Sequence, residues 1–295
     1  MLVFAHIEKT AGKTMRSLLR RHFGPRQCDL YNGPGVLRER DWGFIRRHYP
    51  RLECMVGHAC MPETFIGRRP GVRMFTFLRD PIARAASAYQ YGHHRGRDML
   101  DFEEWARRTA NFQTRALTRR KHPQADADEA IQILEERVGF VGLVESFDES
   151  LILFKHWLGD PSFDLSYRGV NVAPDNRMKK GILADDAKRE LLVELNAEDR
   201  RLYDHVRDTR LPAARAAFGD GLDAALAALT ESHKTARPAS ASLHAVIGQA
   251  KRNFLFRPRW NRRIRGRENF TTIDDEAAGQ RLPEDYGPPV ASSAA

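Results

Sequence analysis

The chain is short of the features that define several large protein classes. It has three cysteines in 295 residues, an odd count with no C-x-x-C pair, so neither a disulfide framework nor a paired-cysteine metal ribbon is expected. No run of eighteen apolar residues occurs and no basic-then-apolar leader opens it, so neither a membrane span nor a signal peptide is legible. Internal repeats are also missing, which excludes solenoids and propellers. What remains is 42% hydrophobic, enough to bury one sizeable α/β core with a modest appendage.

Four short apolar runs, residues 2–7, 53–57, 72–78 and 140–144, have the length and composition of buried parallel strands. Helical patterns fill the intervals at 14–22, 82–91, 102–109, 128–138, 148–158 and 185–206. An alanine-rich helix is expected over 213–229. In the 185–206 helix, Leu191, Leu192, Leu195, Leu202 and Tyr203 form a stripe that reads as core.

The first strand turns at Gly12 and flows into a helix, through His6-Ile-Glu-Lys-Thr-Ala-Gly-Lys-Thr-Met15. Strand, tight turn and helix N-terminus together aim backbone N–H groups and the positive end of the helix dipole at one point, an expected phosphate cradle. Lys9, Thr10, Lys13 and Thr14 add charge and hydroxyls, and Ala11, Gly12 and Met15 complete the loop and first turn. Gly12-Lys-Thr14 matches the end of a Walker A motif, but Ile7 stands where its first glycine belongs.

A second unit follows the strand at 72–78. Arg79-Asp-Pro81 ends it, Pro81 suits a first helical turn, and Ser87 lies two turns into the helix. Arg79 and Ser87 are expected to clamp a second phosphate, the arginine through two N–H groups and the serine through its hydroxyl. Ligands of open α/β sheets lie beyond the carboxyl ends of the strands, so both units present their loops at one rim. Arg84, one turn after Asp80, reads as its ion-pair partner.

His6-Ile-Glu-Lys-Thr-Ala-Gly12 with Thr14, followed by Leu78-Arg-Asp-Pro-Ile-Ala-Arg-Ala-Ala-Ser-Ala-Tyr89, resembles the paired donor-binding motifs of carbohydrate sulfotransferases. The likeness is to the heparan sulfate 2-O-sulfotransferase-like group and its bacterial relatives. Residues 111–117, 141–150 and 170–172 are similar to later family blocks, so the resemblance spans roughly residues 2–207 in order. It implies an α/β, P-loop-like three-layer fold with a central parallel sheet flanked by helices. It also implies 3'-phosphoadenosine 5'-phosphosulfate (PAPS) as donor, with the 5'-phosphosulfate in the first motif and the 3'-phosphate at Arg79 and Ser87. The acceptor would be a saccharide or glycoconjugate hydroxyl. The family places a histidine after a glycine near the end of the intervening strand, which makes His58 the expected general base. Lys9 would stabilise the leaving phosphate. That scheme requires no metal.

Lys13 is a departure, because relatives usually carry a small hydroxyl residue there. It implies a tighter phosphate grip, a different donor angle, or a side chain turned to solvent. Cys54, His58 and Cys60 offer three zinc ligands, one short of a structural site. Arg177, Lys179 and Lys180 read as a solvated basic loop, or as a segment closing over a nucleotide. A competing enzyme class is a P-loop kinase using Gly12-Lys-Thr14, with Asp80 as acidic metal partner.

The net charge is +9, and residues 251–267 alone carry eight basic and no acidic side chains. Phe254, Leu255, Phe256, Trp260 and Ile264 interleave them. The segment is a candidate for an anionic membrane surface, an acidic polysaccharide or nucleic acid, for a partly disordered tail interrupted by Pro258 and Gly266, or for a peptide folded back over the donor site. A non-catalytic adaptor binding acidic polymers through it is the alternative outside the enzymes. The expected organisation is a sulfotransferase catalytic domain over 1–229, a linker or helical segment over 230–250, and a basic then disordered tail over 251–295. Met1 stands directly before the first strand, unlike in Golgi-anchored animal relatives, so a cytoplasmic and membrane-associated bacterial protein is the expectation.

Overall fold

The computed structural model describes residues 1–30, 37–94, 100–120, 124–167, 176–235 and 243–264. Five strands, β1 (Leu2–Ala5), β2 (Gln27–Asp29), β3 (Cys54–Gly57), β4 (Arg73–Leu78) and β5 (Phe140–Leu143), form one sheet in the order β2-β3-β1-β4-β5. All its pairings are parallel, β1 matching Ala5 to Gly57 of β3 and to Thr76 of β4. Helices flank the sheet, so the architecture is the three-layer α/β arrangement anticipated above. The four expected strands are present, each slightly shortened. β2 was not anticipated: Gln-Cys-Asp is too short and too polar to show a period, and it is a strand because Gln27 and Asp29 pair with Cys54 and Val56.

The early helices are α1 (Gly12–Phe23), α2 (Trp42–His48), α3 (Pro81–His94), α4 (Phe102–Arg108), α5 (Phe112–Thr118), α6 (Ala127–Arg137) and α7 (Phe147–Leu158). The later ones are α8 (Arg177–Ala184), α9 (Asp186–Leu195), α10 (Ala197–His205), α11 (Leu211–Phe218), α12 (Leu222–Thr235), α13 (Leu243–Ala250) and α14 (Arg257–Arg263). The single helix expected over 185–206 breaks at Asn196. Its side-chain amide bonds the Leu192 carbonyl at 2.8 Å and its oxygen accepts from the Asn111 N–H at 3.1 Å. The helix expected over 213–229 breaks at Gly219, whose φ of 84° is open to glycine at little cost.

Phenylalanines dominate the core around the sheet. Phe4 stacks on Phe75 with ring centroids 4.8 Å apart, and Phe75 packs on Phe154 at 4.5 Å. The Ser150 hydroxyl closes β5 by bonding both the N–H and the carbonyl of Leu143.

Residues 251–264, anticipated as part of a tail, are docked. A π-helical stretch (Lys251–Phe256) joins α13 to α14, and Phe256, Trp260 and Ile264 belong to the same buried core as the sheet. Phe256 packs on Phe44 and Tyr49 of the α2 region at 5.9 and 5.1 Å. Arg263 bonds the buried Asp41 at 2.9 Å, and Arg252 lies 3.6 Å from the buried Asp29 of β2. Gly248 lets α13 approach closely, since a Cβ there would stand 2.6 Å from the Gly24 carbonyl. Pro258 interrupts nothing, because it sits in the first turn of α14, where its missing N–H is not needed. Residues 170–172 of the family likeness, 236–242 of the expected linker, and 265–295 lie outside the described residues.

Candidate functional site

β1 is the central strand, and its neighbours β3 and β4 lie on opposite sides, so the loops after all three open at one rim of the sheet. The loop after β1 is strained on purpose. Lys9 and Ala11 have φ of 69° and 60°, a left-handed conformation that costs a side chain roughly 1 kcal/mol or more. The buried Thr10 hydroxyl bonds the Ile7 carbonyl at 2.8 Å and holds the curl. Helix α1 begins at Gly12 because nothing larger fits: a Cβ there would stand 1.7 Å from the His6 ring. The first helical bond runs from the Met15 N–H to the Ala11 carbonyl at 3.1 Å, which leaves the Gly12, Lys13 and Thr14 N–H groups outside the helical ladder. The Met15 side chain is core and Thr14 is buried. Lys13 is exposed at the mouth.

Four cations converge on this loop. Burial pulls the Lys9 ammonium down to about 8; Lys13 depresses it next, Glu8 opposes, and Arg79 and Arg84 add to the depression. Lys9 Nζ stands 4.0 Å from the ring centre of Tyr91 on α3, and Lys13 Nζ 5.7 Å from it. Arg79, at the end of β4, donates from its guanidinium to the Lys9 carbonyl at 3.2 Å, so the two motifs touch. Its backbone is gripped on both sides by Gln113 of α5, which accepts from the Arg79 N–H at 2.9 Å and donates to the Arg79 carbonyl at 2.8 Å. Asp199 fixes α5 in turn by accepting from the Gln113 and Thr114 N–H groups at 3.0 and 2.7 Å. Ser87 is half-buried on α3, one turn before Tyr91 and one turn after Arg84, so helical spacing lines the three along one stripe.

Two expectations change. Asp80 caps α3 through the Ala83 N–H at 2.8 Å and pairs with Arg200 at 2.5 Å, whereas Arg84 is buried with its guanidinium 4.8 Å from the Phe112 ring centre. The basic stretch 177–180 belongs to helix α8 rather than to a solvated loop. Lys179 of that helix is lowered by burial and then by Arg79, so it faces the same rim.

His58 follows β3. Its Nδ1 lies 2.8 Å from the His6 carbonyl, an acceptor only, so Nδ1 carries the hydrogen and Nε2 offers its lone pair. Nε2 lies 3.9 Å from a Glu8 carboxylate oxygen. His6 packs against His58 with ring centroids 4.4 Å apart and ring planes tilted by 30°. Burial, then the neighbouring His58, Arg16 and Lys9, holds it well below the usual imidazole range. Burial thus keeps the His6 ring neutral beside His58. Cys54 and Cys60 are buried thiols pushed up by burial, Cys60 to about 12, which keeps them protonated. Among the described residues no group of three His, Cys, Asp or Glu side chains is placed to hold a metal ion.

Of the residues expected to form the donor site, Lys9, Lys13 and Arg79 come together around the loop after β1, Met15 is core, and Ser87 is placed by helical spacing on α3. Sequence reasoning missed Glu8, Tyr91, Gln113 and Glu145, the last of which accepts from the Asp80 N–H at 3.1 Å and stands 4.0 Å from the Arg79 guanidinium. Tyr91 was legible as the i+4 neighbour of Ser87. Gln113 and Glu145 lay inside the quoted blocks but act through contacts 34 and 65 residues away in sequence. Compared with models of known protein families and with characterised proteins, the sequence matches none.

Proposed function

We propose that this chain is a sulfotransferase that uses PAPS and moves its sulfuryl group onto a hydroxyl of a saccharide or glycoconjugate. One observation carries this: Arg79 touches the Lys9 carbonyl, so a cationic loop after β1 and a cationic strand end after β4 meet, with His58 beside them. Burial and then Lys13, Arg79 and Arg84 disfavour the Lys9 ammonium there, and a ligand with two separated anionic ends relieves that cost.

The N–H groups of Gly12, Lys13 and Thr14 and the Lys9 ammonium would hold the 5'-phosphosulfate, within a curl shaped by Thr10 and Ala11 and anchored by Met15. Arg79 and Ser87 would hold the 3'-phosphate. His58 Nε2 takes the proton of the acceptor hydroxyl as its oxygen bonds to sulfur. Lys9 meets the negative charge left on the 5'-phosphate as the sulfur-to-bridging-oxygen bond breaks. The products are a sulfate ester and 3',5'-bisphosphoadenosine. Phosphoryl transfer by Gly12-Lys-Thr14 fits less well, because its acidic partner, Asp80, is committed to Arg200 and to capping α3.

Titration calorimetry with 3',5'-bisphosphoadenosine tests the donor site. The parent protein binds it; Arg79→Ala weakens binding about tenfold or more through loss of charge-assisted hydrogen bonds. A parent that gives no heat, or that binds the nucleotide lacking the 3'-phosphate equally well, overturns the assignment. With labelled donor and a panel of glycans and glycolipids, His58→Ala lowers turnover by about a hundredfold or more while nucleotide binding persists. Unchanged turnover removes His58 from the reaction.

A further inference from the structure

The docked segment 243–264 has an outer face that is exposed among the described residues. It contains six basic residues and no acidic one. Its inner side is consumed by Gly248, Phe256, Trp260 and Ile264. On the outside, Leu243 is 73% and Phe254 77% exposed, with Val246, Ile247 and Leu255 also bare. Of the seven large apolar side chains exposed among the described residues, five are on this one segment, so they form a concentrated patch rather than the ordinary scatter of single residues. Leu243, Ile247, Ala250 and Phe254 recur at helical spacing. Arg257, Arg259 and Arg262 continue the face as exposed cations.

We propose that this face lies in the plane of an anionic lipid bilayer, with Leu243, Val246, Ile247, Phe254 and Leu255 in the acyl boundary and Arg257, Arg259 and Arg262 against headgroup phosphates. This is independent of the donor chemistry. An acidic polymer would engage the arginines, and its sugars or bases could stack on Phe254, but it offers nothing to four bare aliphatic side chains. A second copy of the chain would bring the same arginines against themselves. A bilayer with anionic headgroups matches both halves of the face at once.

Co-sedimentation of the full chain with vesicles of phosphatidylcholine, alone or mixed with phosphatidylglycerol, tests this. The protein binds the mixed vesicles and is released by salt. Phe254→Ser with Leu255→Ser lowers the partition coefficient about tenfold or more. Replacing Arg257, Arg259 and Arg262 by Gln lowers it roughly a hundredfold on mixed vesicles and little on phosphatidylcholine. Both sets lie in solvent, so thermal unfolding stays at the parent value. No partition of the parent into mixed vesicles overturns the proposal. So does partition that the variants leave unchanged. Heparin binding without vesicle binding assigns the face to an acidic polymer, and a dimer abolished by the Phe254 and Leu255 changes assigns it to a second copy.

Discussion

Two groups of cations in this molecule are handled in opposite ways. Around the loop after β1, burial and then Lys13 lower Lys9 to about 8, with Glu8 opposing and Arg79 and Arg84 adding to the depression. In the C-terminal segment, Arg252 and Arg263 stand beside the buried Asp29 and Asp41, and Arg257, Arg259 and Arg262 are exposed. The first arrangement costs the fold electrostatic energy that an anion would return. In the second, burial lowers Arg252 but Asp29 opposes that, so its charge alone identifies no partner, and the bare apolar stripe beside it is what narrows the choice.

The largest effect expected from breaking this contrast is on stability. Phe256→Ala removes a ring from the core and is expected to cost about 3–5 kcal/mol in denaturant unfolding, while the exposed Phe254→Ala stays within about 0.5 kcal/mol. A detached tail would give near-zero change for both. Lys9→Ala is expected to lower turnover by about 10²–10³-fold without loss of stability, because it removes a charge that its neighbours repel. Loss of folding together with activity would make Lys9 a structural residue. Gly12→Ala drives a methyl group into the His6 ring and is expected to cost roughly 1–3 kcal/mol and to weaken nucleotide binding, both read by unfolding with and without nucleotide.

The smallest effect concerns protons. Lys9 titrates near 8 in the folded protein and near 10.5 in its ordinary state, so its charge burdens the fold below pH 8 and the burden lifts as pH rises between those values. An anion favours the charged form and raises that pKa. Nucleotide binding should therefore take up a fraction of a proton above pH 8 and weaken as pH rises further. Calorimetry at pH 8.5 in buffers of different ionisation heat measures the uptake, and Lys9→Ala should abolish it. Equal uptake in the variant would assign the proton to another group.

Much of the fold was legible because buried parallel strands are short apolar runs, and four of the five were read that way. β2 was not, since its identity rests on pairing with β3 rather than on composition. The helix breaks at Asn196 and Gly219 escaped notice for related reasons. A side-chain bond to a carbonyl and a left-handed φ do not disturb apolar periodicity. In the site, Lys9, Gly12, Arg79 and His58 stood out from local motif chemistry. Tyr91 and Gln113 did not, because each acts on a partner far along the chain.

The sequence by itself determined the alternation of strand and helix, the glycine turn into α1 and the types of side chain available at the rim, since these follow from local patterning and steric need. Only the tertiary structure decided that Arg79 reaches the Lys9 carbonyl, that Asp80 belongs to Arg200, and that the basic C-terminal segment packs into the core while its other face stays bare. Those outcomes depend on which surfaces meet when the sheet closes, and burial, charge pairing and proton affinity are set there rather than along the chain.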